Sequence, residues 1–283
     1  SMAQMFSSEI NLGSVRDFDD NIFVRQAQIG NPELKPSLAD NLNFGIELNS
    51  FKRELIIDYW SIDYKNRVES ESSQALLISD PYGSSITRNE SGELIGVTTT
   101  YFNETSTKVS GFDFSFNENF DLNDLGNLKL IIKGTNFIEF LTPGAGTSAM
   151  INRVGRFNFD ANTHSIPKKR INSFIQWNYA PHELGLIARY IDGYTNERNI
   201  PDSALSKGYK NKVNSFLVFD FTYRQKFKNL FEGLNLTTSF SLINLLDEQP
   251  PKLYDAPDFS FDTRVHDPRG RLINIQFELS PKD

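Results

Sequence analysis

The chain has 283 residues, among them 24 Phe, 10 Tyr and 2 Trp, and it carries a formal net charge of −7. It contains no Cys and only 3 His, which excludes disulfides, thiolate metal sites and a histidine-rich metal centre. Because the charge is acidic and no lysine- or arginine-rich block occurs, a dedicated nucleic-acid binder is not expected. No run of about 18 apolar residues predicts a membrane helix, and no signal peptide is visible.

In chain order, apolar residues alternate with polar residues most regularly over residues 42–49, 112–117, 234–242 and 273–279. A period of two indicates strands with one apolar face and one polar face. Less regular strands are predicted near residues 54–65, 128–140, 170–180, 184–191 and 213–227, with a further one near residues 21–28. The sequence therefore predicts an all-β fold, an antiparallel up-and-down meander or β-barrel of about 9–10 long strands.

The connections between the predicted strands alternate strictly between short ones of roughly 3–9 residues and long ones of roughly 21–35 residues. Such a meander has two unlike ends, as outer-membrane barrels have with their short periplasmic turns and long extracellular loops. Strands of about 10–13 residues fit a tilted membrane span better than the usual globular length. Aromatic residues near strand ends, such as Trp60, Trp177 and Tyr223, are typical of a membrane-interface girdle.

A soluble β-barrel or sandwich that binds a small apolar or sugar ligand has the same one-sided strands and is the alternative. Burial distinguishes the two architectures. A soluble fold would point Phe112, Phe114 and Phe116 into a closed core, whereas a membrane barrel would point them outward in a belt about 25 Å tall.

Four stretches of the chain carry distinctive motifs. Residues 30–36 read Gly-Asn-Pro-Glu-Leu-Lys-Pro, and residues 86–95 read Ile-Thr-Arg-Asn-Glu-Ser-Gly-Glu-Leu-Ile. Residues 244–251 read Asn-Leu-Leu-Asp-Glu-Gln-Pro-Pro, and residues 266–271 read His-Asp-Pro-Arg-Gly-Arg before the last strand. These motifs resemble those of TonB-dependent outer-membrane receptors and stand in the order of that family, and the resemblance covers about residues 30 to 279.

The resemblance implies the C-terminal part of an outer-membrane barrel of about 22 strands from a Gram-negative bacterium. We therefore expect residues 1–283 to form a single barrel fragment without plug domain or TonB box, with residues 1–20 poorly ordered. The parent receptor would import a siderophore, cobalamin or an oligosaccharide, and the fragment alone would not transport. The expected partners are outer-membrane lipid or detergent and, through the absent N-terminal part, the TonB complex. We expect neither enzymatic activity nor a cofactor.

Ligand contacts are expected where the polar face meets the long connections, which the resemblance places outside the cell. By strand parity Arg189 points into the lumen beside Asn172 and Asn214, and Arg264 lies in the last long connection. Arginine offers a planar fork of donors to carboxylate or phosphate. The other arginines considered for an anionic ligand are Arg153, Arg156 and Arg269.

No motif predicts catalysis or metal binding. His266 and Asp267 form the only adjacent acid–base pair, but Asp267 precedes Pro268 in a turn, where a structural role suffices. Residues 121–132 lack the fifth and twelfth ligands of a calcium loop. The glycines at 144 and 146 precede no Lys-Ser or Lys-Thr pair of a phosphate loop. We expect His164 and His182 to be surface residues.

A partial barrel would have two open strand edges, which lipid does not tolerate. An antiparallel barrel built from hairpins closes with an even number of strands. We therefore expect residues 21–28 to serve as a tenth strand that closes the fragment on itself.

Overall fold

A computed structural model describes residues 1–18, 20–144, 149–161, 165–231, 233–256 and 259–281. Helices lie at α1 (Met2–Phe6), α2 (Ser73–Ser79) and α3 (Asp202–Leu205), with a 3-10 turn at Asn123–Leu125. The strands are β1 (Ser8–Asp17), β2 (Asp20–Ile29), β3 (Leu38–Asn49), β4 (Arg53–Ser70), β5 (Ile86–Arg88), β6 (Leu94–Asp121), β7 (Asn127–Pro143), β8 (Met150–Asn152), β9 (Lys169–Tyr179), β10 (His182–Ile191), β11 (Tyr194–Thr195), β12 (Lys212–Val213), β13 (Phe216–Phe231), β14 (Leu234–Ile243) and β15 (Leu272–Pro281). His164 and the glycine at 146 lie outside the described residues.

Within the described residues, nine strands form one antiparallel wall in the order β3-β4-β6-β7-β9-β10-β13-β14-β15. The predicted all-β meander is therefore confirmed. The short connections meet at one end of the wall, here called the short-turn end, and the long ones meet at the other, the long-loop end. Asn123 and Gly126 adopt positive φ angles of 52° and 85° in the turn between β6 and β7, where Asn and Gly are favoured.

Strand register aligns the apolar residues of neighbouring strands on one face of the wall, here called the apolar face. Phe44, Tyr59 and Phe112 form one cross-strand row. Ile57 and Phe114 belong to the next row. Residues of the opposite parity, such as Asn172, Arg189, Thr222 and Ser241, line the polar face.

Burial on the two faces is the reverse of what a soluble core requires. On the polar face Asp220, Asn235 and Thr237 are buried, whereas Phe112 and Phe277 on the apolar face are 40% and 70% exposed. A water-soluble sandwich or barrel would bury these aromatic rings, because apolar burial is its main source of stability. The structure therefore contradicts the soluble alternative.

Charged residues border the apolar face at both ends. Arg53 pairs with Glu118 at 2.6 Å near the short-turn end, and Asp63 lies opposite Lys108 near the long-loop end. Positions 53 and 63 are ten residues apart on β4. At about 3.3 Å per residue and a tilt of about 40°, they bracket a belt about 25 Å tall, the height of an outer-membrane apolar band.

Both edges of the wall are open among the described residues, because β3 pairs only with β4 and β15 only with β14. The expected closure through residues 21–28 is wrong. Strand β2 pairs with β1 and, in parallel, with residues 96–100 of β6. There Val24 packs with Val15, Leu77 and Val97, which favours this position over the wall edge. With nine strands, β3 and β15 also run in the same direction and cannot join antiparallel.

Two small apolar cores lie at the long-loop end. The first, here called the cap, joins β1, β2, α2, β5 and the start of β6 around Val24 and Leu77. The second surrounds Phe157, Tyr194 and Leu253 in the long connections. Within the first 20 residues, for which the sequence predicts little order, the structure has α1 and β1. No helix in the described part of the chain is long and apolar enough to span a membrane.

Candidate functional site

Clefts open at the long-loop end, and two of them bring charged and amide side chains together. The first, here called the loop cleft, encloses about 460 Å³ between the cap and the long connections. The cap contributes Arg16 and Gln28, and the connections contribute Phe159, Arg198 and Asp255. Residues far apart in sequence therefore meet here, since each connection leaves the wall at the same end.

One carboxylate in the loop cleft is shared by two guanidinium groups. Asp255 accepts from Arg198 Nε at 2.7 Å and lies 3.2 Å from Arg16 Nη1. Arg16 also donates to the Tyr254 hydroxyl at 2.8 Å. Two guanidinium groups therefore converge on one carboxylate, and this arrangement of donors suits an anion.

Aromatic rings and amides complete the lining of the loop cleft. The guanidinium of Arg198 lies 4.6 Å from the ring centroid of Phe159, which itself packs 6.4 Å from Phe157. Thr99 donates to Gln28 Oε1 at 2.7 Å, and Gln28 Nε2 has no hydrogen-bond partner among the described residues. The cleft can therefore offer cationic, aromatic and amide contacts to one ligand.

The second cleft, here called the wall cleft, encloses about 370 Å³ on the polar face. Asn172 and Arg189 line it as cross-strand partners, together with Arg170 and Arg269. Arg189 forms a bidentate ion pair with Asp220, so that its charge is already balanced. Arg170 has no ion-pair partner within the described part of the chain.

The structure separates the four predicted ligand contacts. Asn172 and Arg189 lie together in the wall cleft, whereas Arg264 lines the loop cleft. Asn214 is exposed and lines neither of these two clefts, because β13 begins only at Phe216 and strand parity does not extend to position 214.

The other arginines considered from sequence are committed to acidic neighbours. Arg153 is 1% exposed and binds Asp160 at 2.7 Å, and Arg156 pairs with Glu197. Arg269 binds Asp267 at 2.6 Å. The sequence prediction missed three cationic residues that reach a cleft, Arg16, Arg170 and Arg198. Arg170 shares the parity of Asn172 on β9, which could have found it, whereas no local pattern brings Arg16 of β1 to Arg198 in its loop.

The adjacent pair His266 and Asp267 is not arranged for catalysis. His266 is 2% exposed and packs between the rings of Tyr194 and Phe216 at centroid distances of 6.0 and 5.3 Å. Burial lowers the pKa of His266 to about 4. Asp267 instead binds Arg269, whose hydrogen bond lowers the pKa of that carboxyl.

Acidic and histidine side chains of the described residues do not form a metal site. No group of three or more His, Cys, Asp or Glu side chains in the described ranges is placed to hold a metal ion. His182 lies at the start of β10, where its Nδ1 lies 2.7 Å from the Tyr223 hydroxyl.

Comparisons with known proteins agree with this architecture. PirA, a siderophore receptor from Acinetobacter baumannii, matches with a TM-score of 0.54 and 14% identity over 90% of this chain and 33% of its own. A mutant of the ferric enterobactin receptor PfeA from Pseudomonas aeruginosa, in complex with enterobactin, matches with a TM-score of 0.54, 16% identity and the same coverage. The ferric-catecholate import receptor Fiu from E. coli matches with a TM-score of 0.51 and 15% identity over 88% of this chain and 28% of its own.

At these identities the likeness concerns the fold, and the chain spans about a third of the length of these receptors. No curated protein sequence matches the chain significantly. The sequence model of the family described as "TonB dependent receptor-like, beta-barrel" matches residues 2–245. The chain therefore belongs to the β-barrel family of the TonB-dependent receptors, which are transporters of the outer membrane.

Proposed function

We propose that this chain forms part of the wall and mouth of a receptor that imports a ferric siderophore across the outer membrane. The apolar face contacts lipid, the long-loop end faces the exterior, and the polar face lines the lumen. Energy for import comes from the TonB complex.

The observation that carries the siderophore proposal is the loop cleft. Ferric catecholate complexes are anionic and present aromatic rings, and Arg16, Arg198 and Phe159 offer matching contacts. The structural likeness to a ferric enterobactin receptor and to a ferric-catecholate import receptor supports the same class. Cobalamin and oligosaccharides remain the other candidates, but neither calls for paired guanidinium groups.

The ligand meets the chain in two places under this proposal. It binds first in the loop cleft, where Arg264 is a further contact, and then passes the wall cleft, where Asn172, Arg170 and Arg189 face it. Nothing in the structure supports Asn214 as a contact. The protein acts as a receptor without catalysis.

Equilibrium binding of ferric tris-catecholate to the detergent-solubilised chain tests the proposal. Arg198→Gln should weaken binding about tenfold, because one charge-assisted contact is worth about 1.5–3 kcal/mol. Arg224→Gln is the matched control, because Arg224 carries the same charge at the short-turn end, 3.6 Å from Glu278. Binding of cyanocobalamin or a maltooligosaccharide in place of the catecholate complex would contradict the siderophore proposal.

A further inference from the structure

The carboxylate of Asp255 occupies the part of the loop cleft that is most suited to an anion. Its side chain is 7% exposed, and its two oxygens face different guanidinium groups. Oδ1 lies 3.2 Å from Arg16, and Oδ2 accepts from Arg198 at 2.7 Å. A ligand carboxylate or catecholate would need these same donors, and so it must compete with Asp255 for them.

The two arginines belong to parts of the molecule that are anchored separately. Arg16 moves with the cap, because its backbone N–H donates to Gln74 of α2 at 2.8 Å and its carbonyl accepts from Gln74 at 3.0 Å. Arg198 follows β11, and its neighbour Asn196 is fully buried and donates to the Tyr254 carbonyl at 2.8 Å. The connection that carries Asp255 therefore stays attached to the Arg198 loop by a second contact. Arg16 joins the same connection to the cap through Asp255 and also through Tyr254, whose hydroxyl accepts from Arg16 at 2.8 Å and whose ring centroid lies 5.3 Å from its guanidinium.

We propose that Asp255 is an internal counter-ion that fills the anion site of the loop cleft and latches the cap to the β14–β15 connection until an anionic ligand replaces it. The proposal rests on the proposed function only for the identity of that ligand. The carboxylate keeps the two guanidinium groups neutralised and in place while the cleft is empty. On binding, the ligand takes over the contacts to Arg16 and Arg198, and the cap is released from Asp255.

Asp255→Asn separates this role from a merely supporting one. An amide keeps the size of the side chain but cannot compete as an anion, so that ferric tris-catecholate should bind about tenfold more tightly than to the wild type, because no binding energy is spent on displacement. If Asp255 instead positions the arginines for the ligand, the same variant weakens binding. Weaker or unchanged binding therefore overturns the proposal.

The latch can be measured without any ligand. Because the chain has no cysteine, Leu12→Cys on β1 and Leu246→Cys in the β14–β15 connection accept nitroxide labels specifically. Both positions are exposed, by 79% and 63%. Double electron–electron resonance should give a narrow distance distribution for the wild type and a moderately broader one with Asp255→Asn, because the contacts of Arg16 to Tyr254 remain. Ferric tris-catecholate added to the wild type should broaden it in the same way.

Two further variants control the measurement. Glu248→Gln removes one negative charge from an exposed position of the same connection and should behave as the wild type in distance and affinity. Arg16→Gln should broaden the distribution more than Asp255→Asn does, because it also removes the contacts to Tyr254, whereas Arg198→Gln should leave it narrow because Arg16 still reaches Asp255. Circular dichroism confirms that each variant is folded.

The outcomes distinguish the latch from the siderophore proposal. A distribution that broadens with Asp255→Asn while the wild type binds no catecholate complex supports the latch and refutes the ligand. Catecholate binding that Asp255→Asn does not strengthen, with an unchanged distribution, refutes the latch and leaves the proposed function standing.

Discussion

Ile57→Arg places a charge near the middle of the apolar face. Ile57 is 42% exposed and lies four residues from Arg53 and six from Asp63, the charged residues that border the belt on β4. At about 3.3 Å per residue and a tilt of about 40°, these spacings correspond to about 10 and 15 Å of depth. An arginine at the bilayer midplane costs about 2–4 kcal/mol in a barrel wall. On a surface exposed to water the same change would cost at most about 0.5 kcal/mol.

The matched control is Ser115→Arg, which adds the same side chain at the same depth. Ser115 lies opposite Ile56 and has the parity of the polar face, so that water in the lumen can solvate the new charge. The free energy of unfolding would be measured by urea titration of the chain in phospholipid vesicles, with heat-modifiable gel mobility as the readout. Equal stability of Ile57→Arg, Ser115→Arg and the wild type would refute an apolar face directed at lipid.

Two further predictions concern packing and pH. Gly134→Ala should destabilise the wall by about 1–3 kcal/mol in a denaturant titration, because the new Cβ would lie 2.6 Å from Phe114 Cζ. Gly96→Ala is its control, since that Cβ meets nothing closer than 3.5 Å; equal costs would contradict the packing. Burial lowers the pKa of His266 from 6.5 to about 4 in the folded chain. As the pH falls, this imidazole therefore binds a proton in the unfolded chain at a higher pH than in the folded chain. Stability should therefore fall by about 2–3 kcal/mol as the pH drops from 6.5 to 4, and His266→Phe should remove this dependence; an unchanged slope would contradict it.

The wall could be predicted from sequence because alternation is a local signal. Leu42, Phe44 and Ile46 define the apolar face of β3 before any partner is known, and the hairpin turns then set the register. The same parity correctly brought Asn172 beside Arg189. Strand parity did not place Asn214 correctly, because Asn214 lies between two strands. Strand β12 ends at Val213 and pairs with β11, and the alternation begins again only at β13.

The cap and the loop cleft could not be predicted in this way. The parallel pairing of β2 with β6 joins segments about 70 residues apart and depends on which apolar surface is left free at the long-loop end. Arg16, Arg198 and Asp255 meet only because two connections leave the wall at the same end and the cap, which carries Arg16, packs beside them. No spacing in the sequence reports that contact. The position of the cap, and with it of Arg16, depends instead on the free edge of β6, to which β2 pairs, and on the burial of Val24.

The central claim is that the two faces of the wall meet different solvents, and a nitroxide scan along β4 tests it most directly. The chain has no cysteine, so single cysteines at positions 54 to 62 can be labelled one at a time in phospholipid vesicles. Collision with oxygen, which partitions into lipid, should peak at positions 55, 57 and 59. Collision with a water-soluble nickel chelate should peak at positions 54, 56 and 58. If labels at positions 57 and 58 collided equally often with the nickel chelate, and if neither collision rate alternated along β4, the account would be contradicted.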